Sequence, residues 1–175
     1  MATLTPITPP CGDGSFPPHP SPSPIMLGFG RFLTAAETLI AAEFDLSGHC
    51  GHDPAVDAWF RTAERARDGV LELIAQNLDL APVAPGDTHL LRVLRLFRKV
   101  MLSTDPDQVE RLRLRVVGMP ERYLALGVTG IDGAVNRMVL QGLDRFEDYL
   151  AIEEIRADAG ETNPAHADVE ACPAF

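Results

Sequence analysis

No run of about 18 consecutive apolar residues occurs in this 175-residue chain, so the sequence offers no membrane span. The N-terminus has neither the basic start nor the apolar core of a signal peptide, which leaves a cytoplasmic location as the default expectation. Cysteine is scarce: Cys11, Cys50 and Cys172 are odd in number, two of them lie near the ends, and they read as free thiols. Basic charge is in deficit. A formal net charge of −10 argues against non-specific nucleic-acid binding, because neutralising phosphates needs Lys and Arg in excess. No strand pattern survives beside the helical periodicities, there is no internal repeat, and nothing resembles a nucleophile with its base.

Proline, by contrast, is abundant at one end. Pro6, Pro9, Pro10, Pro17, Pro18, Pro20, Pro22 and Pro24 lie among Ser, Thr and Gly, and such a stretch can neither donate a regular hydrogen-bond ladder nor bury a core. Residues 1–28 are therefore expected to be a disordered tail, 29–159 a single helical domain and 160–175 a flexible tail.

Between the tails every long segment has a helical pattern. Thr34 with Glu37 reads as a capping box, and Leu39, Ile40 and Phe44 give the apolar stripe of a helix from about 34 to 45. Asp53-Pro54 is a cap followed by an N1 proline, opening a helix that carries Val56, Trp59, Phe60, Ala63, Val70, Leu73 and Ile74 toward Leu78. Asp87 or Thr88 caps a helix through about Ser103, with Leu90, Leu91, Leu94, Phe97 and Met101 inward and Arg92, Arg95, Arg98 and Lys99 toward water. Asp105-Pro106 repeats the cap-plus-proline device ahead of Val109, Leu112 and Val116. Pro120 then opens a short helix that Gly127, in the left-handed conformation, should stop at Leu126. Thr129 or Asp132 caps the last helix, whose apolar positions are Ile131, Val135, Met138, Val139 and Leu143. The sum is an all-α domain of about six helices, whose unequal lengths and two sharp corners fit globin-like packing better than an up-down bundle.

Four segments carry a family resemblance. Gly30-Arg31-Phe32-Leu33-Thr34 with Leu46-Ser47-Gly48, Ala66 to Leu71 with Gln76-Asn77-Leu78, Arg92-Val93-Leu94-Arg95-Leu96, and the ungapped run Val116 to Met138 resemble, in order, segments of the phycobiliproteins over roughly residues 30 to 145. The resemblance implies a phycobiliprotein-type globin fold. It departs where that family has a long excursion and a chromophore-attaching cysteine, since this chain has the short loop Ala81-Pro82-Val83-Ala84-Pro85 and then Gly86-Asp87-Thr88-His89. The proline tail also replaces the N-terminal helical pair through which family subunits dimerise. A covalent light-harvesting subunit is not expected. The chain is most similar to the bilin biosynthesis-associated globins, which accompany heme oxygenase and bilin reductase. That resemblance implies a non-enzymatic protein of tetrapyrrole metabolism, holding bilin or heme non-covalently, with bilin-biosynthesis proteins or a second copy as partners. A structural or adaptor role without a cofactor is the alternative.

The family's arginine and aspartate that pair with the bilin propionate and pyrrole nitrogens fall opposite Thr88 and His89. His89 could ligate heme iron or hydrogen-bond a bilin, although a His early in a helix beside Asp87 also describes a surface cap partner. The expected proximal-histidine helix, Pro106 to Val117, contains no His, which disfavours ordinary heme-globin chemistry. Arg92, Arg95, Lys99, Arg111 and Arg115 have the chemistry to hold propionates, and equally that of the wet face of an amphipathic helix. Tyr123 and Trp59 read as core or pocket-wall aromatics, and Tyr149 as packed on the final helix. His49-Cys50-Gly51-His52-Asp53 has metal-ligand types but no second pair of ligands to complete a zinc site.

Overall fold

Helical structure begins at Ser23, inside the proline-rich stretch. In the computed structural model, which describes residues 21–47, 54–127 and 130–161, the Ser23 hydroxyl accepts from the Met26 N–H at 3.0 Å and its carbonyl from the Leu27 N–H at 3.0 Å. With Pro24 at the first helical position, this is an N-cap and N1 proline of the kind read at Asp105-Pro106. The first helix, α1 (Pro24–Ser47), thus starts ten residues before the expected capping box at Thr34 and takes in residues 24–28 of the stretch read as tail. Thr34 lies mid-helix and donates back to the Gly30 carbonyl, while Glu37 pairs with Arg145 at 3.1 Å. Four elements follow in chain order: α2 (Pro54–Leu78), α3 (Asp87–Met101), α4 (Pro106–Gly118) and, after a 3-10 turn (Pro120–Tyr123), α5 (Gly130–Glu161). The described residues form no strand. The expected caps Asp53 and Thr129, the cluster at 49–53 and the tail residues 1–20 and 162–175 lie outside the described residues.

Local chemistry sets most boundaries. Asp105 caps α4 as expected, its carboxylate accepting the Asp107 N–H at 3.0 Å ahead of Pro106. At α3 the expected cap is corrected. Gly86 occupies the N-cap position with no side-chain bond, and Thr88 turns back to donate to the Pro85 carbonyl. Gly127 is likewise corrected: among the described residues the glycine with positive φ is Gly130, at 62°, and the short element ends at Tyr123 rather than Leu126. Gly127 is small because the Asp132 side chain packs over it.

The core is a line of rings. Phe29 and Phe32 on α1, Phe97 on α3 and Phe146 on α5 stack with centroid separations of 5.4, 4.9 and 5.7 Å. All four are buried, each contributing about 1.5–3 kcal/mol by burial and further favourable edge contacts. Gly142 lets α5 approach: a Cβ there would press on Val93 at 2.9 Å and Phe29 at 3.0 Å. By length and apolar content α1 could cross a membrane, yet its Ile25, Phe29, Phe32, Ala36 and Leu39 are spent on this core. The inward residues expected on α3 are all buried, whereas Phe44, Trp59 and Phe60 are 63%, 41% and 50% exposed. The reading of Trp59 as core or pocket wall is therefore corrected. At this end of the α1–α2 pair Leu46, Val56 and Ala63 form a small buried cluster of their own.

One buried carboxylate joins three segments. Asp87, 1% exposed, accepts from the Ser23 hydroxyl and from the backbone N–H groups of Val83 and Ala84, both at 2.9 Å. Asp87→Ala would leave three donors without their acceptor and should lower unfolding free energy by about 3 kcal/mol, against about 1 kcal/mol for Ser23→Ala. Chemical denaturation of both variants checks this, and equal losses would contradict the role assigned to the carboxylate.

Candidate functional site

Two cavities lie on either side of α4. One, of about 380 Å³, is lined by Arg67, Arg113, Asp105, Glu110 and Tyr149 among others. Its arginines are engaged: Arg67 lies 3.9 Å from buried Glu43 and donates to the Met101 carbonyl, and Arg113 meets Glu147 at 3.2 Å. Such a balanced lining has little charge left for a ligand.

The other is a cleft of about 640 Å³ between α3, α4 and the 3-10 turn. Its cations come from three elements. Arg92, Arg95 and Lys99 lie along one face of α3 at i, i+3 and i+7, Arg115 comes from α4, and Arg122 from the turn. Glu121 is the one carboxylate among the lining residues. Among the described residues, none of the five cations has a carboxylate within ion-pair distance. The wall between them is apolar, from Leu96, Leu112, Leu124 and Leu126, with half-buried His89 and Tyr123 at the turn. An apolar wall rimmed by unpaired guanidinium groups is suited to a largely apolar ligand bearing carboxylates.

Two side chains of the site also hold the turn in place. The His89 ring, at Nδ1, meets the Tyr123 carbonyl at 3.0 Å, and Arg92 Nη1 donates to the Arg122 carbonyl at 2.8 Å. Beyond the turn, Asn136 on α5 fixes the chain reciprocally. Its Oδ1 accepts from the Ala125 N–H at 2.7 Å, and its Nδ2 donates to the carbonyls of Ala125 at 3.1 Å and Gly127 at 2.8 Å. The corner between α4 and α5 is thus tied by three side chains.

Of the residues singled out in the sequence, His89, Arg92, Arg95 and Tyr123 come together, as do Lys99 and Arg115. Thr88 does not line the cleft. Arg111 also stands apart, 3.4 Å from Asp105. Sequence reasoning missed Arg122 and Asn136. The one signal for Asn136 is an amide between the apolar positions Val135 and Val139, since Asn is a poor helix-interior residue unless its side chain is used. Comparison with family models, with curated proteins and with solved structures finds no match for this chain.

Burial pushes the Tyr123 phenol above its ordinary value of 10.0, an effect opposed by the positive charges of Arg115, Arg122 and Arg92. The raised value means that the folded state holds the phenolic proton more tightly than the unfolded one. The associated stability is complete below pH 10.0 and is lost as pH rises through the folded value. In tyrosine-ring NMR titrations Tyr123 should titrate above 10.0, and Arg115→Gln should move it higher still; a downward move would reverse the electrostatic picture.

Proposed function

We propose that this chain is a non-enzymatic, phycobiliprotein-like globin that binds a tetrapyrrole, bilin or heme, non-covalently in the cleft between α3 and α4. The observation that carries the reading is the convergence on an apolar wall of five cations that have no carboxylate partner among the described residues, in a chain whose net charge is −10. A tetrapyrrole has that complementarity: a broad apolar body whose propionates would take Arg92, Arg95 and Lys99 on one side and Arg115 and Arg122 on the other. The residues present fit the group. Guanidinium forks bind carboxylates in two-pronged fashion, and the leucines replace water over the ring system. The all-helical architecture is what the resemblance read in the sequence requires at the coarsest level. The role that the resemblance implies is that of a helper or sensor, with proteins of bilin biosynthesis as the partner class.

A second reading has its own observation. Phe44, Trp59 and Phe60, exposed at the far end of the α1–α2 pair, suit an adaptor that presents an apolar surface to a partner protein.

Absorption titrations of the purified chain with hemin, biliverdin and phycocyanobilin separate the two. A shifted, intensified spectrum is expected with at least one ligand. Affinity should fall by about tenfold for each of Arg92→Gln and Arg95→Gln, the size of one charge-assisted hydrogen bond, and the dimethyl ester of the same ligand should bind poorly. No spectral change with any of the three would sink the tetrapyrrole reading and leave the adaptor.

A further inference from the structure

We propose that the face around the mouth of the cleft docks on an anionic lipid surface, with Leu126 entering the bilayer interface and the cations beside it holding lipid phosphates. The carrying observation is how Leu126 is presented. It lines the cleft and is fully exposed, and a single side chain fixes the residues on both sides of it: Asn136 binds the N–H and carbonyl of Ala125 and the carbonyl of Gly127. The loop is thus braced with an apolar tip in water. Val117 and Met119, where α4 leads into the 3-10 turn, are exposed as well.

Charge decides the partner. Residues 87–126 hold eight of the chain's 15 Lys and Arg but five of its 25 acids, and the five cations of the cleft have no carboxylate partner among the described residues. A second copy of the same face would be repelled by them. A protein groove is entered by aromatic anchors above all, whereas Leu126, Val117 and Met119 are aliphatic. An aliphatic tip among guanidinium groups matches instead the boundary between acyl chains and headgroups, where leucine inserts and arginine binds phosphate with paired N–H groups. The net charge of −10 does not oppose this, because physiological salt screens the remote acids over about 8 Å and leaves the cations at the contact in control.

The full chain is mixed with vesicles of phosphatidylcholine alone or with added phosphatidylglycerol, and binding is read by co-sedimentation. No tetrapyrrole is present, so failure here leaves the tetrapyrrole reading of the cleft standing. Binding to the anionic vesicles alone is expected, weakening as salt is raised. Arg115→Gln and Arg122→Gln should each weaken it about fivefold, and Leu126→Ser about tenfold with an unchanged circular dichroism spectrum, since the leucine is no part of the core. Leu126→Trp separates insertion from adsorption: a blue-shifted emission quenched by brominated lipid is expected, above the background that Trp59 gives in the parent chain. Absence of binding to anionic vesicles, equal binding to neutral ones, or Leu126→Ser without effect would each overturn the proposal. Binding to polyglutamate in place of vesicles would overturn it too and assign the face to an acidic protein.

Discussion

The buried carboxylate of Asp87 is the constraint on which the arrangement of the site depends. A polar group removed from water is tolerated only when donors surround it, and here they come from Ser23 and from the backbone of Val83 and Ala84. The Ser23 hydroxyl is shared between the start of α1 and this carboxylate, which links the helix that supplies half of the aromatic line to the helix that supplies the cleft wall. Gly86 adds a steric requirement, because a Cβ there would collide with Val135 on α5. The first turn of α3 is thereby held against α1, α5 and the preceding loop at once, with His89 in that turn and Arg92 in the next.

That register gives the cleft its dual character. His89 and Arg92 line it, and the same two side chains bind the carbonyls of Tyr123 and Arg122. The turn that contributes Arg122 and Tyr123 is therefore positioned by the residues it faces, while Asn136 secures the chain on its far side. α4 depends on this tie more than the other helices do, since Leu112 and Val116 are its only buried residues while Leu114 and Val117 face solvent. The charge pattern follows the same logic. Acidic groups pair elsewhere, with Arg67, Arg111, Arg113 and Arg145, and among the described residues the cations of the cleft have no carboxylate partner.

Much of the fold was legible in single residues. Asp105-Pro106 and the apolar stripe of α3 could be read because capping and helical periodicity act within one or two turns. The start of α1 obeyed the same rule at Ser23-Pro24 but was hidden in a run of prolines that otherwise spoke for an unstructured tail. Trp59 and Phe60 fell on a helical apolar stripe and are nonetheless exposed, because periodicity tells which face is apolar and not whether another element covers it. For the site, the α3 residues were legible as chemistry, Thr88 stands outside the cleft with its hydroxyl on a local carbonyl, and Arg122 was invisible because nothing near it in sequence marks it as facing α3.

The sequence by itself determined the helices, several of their caps and the excess of acid over base, because these rest on interactions between near neighbours or on composition alone. Only the tertiary structure decided which cations converge, which carbonyl the His89 ring meets and why Asp87 is buried. Those outcomes depend on pairs 34, 30 and 64 residues apart, His89 with Tyr123, Arg92 with Arg122 and Ser23 with Asp87, whose meeting is set by how whole helices pack.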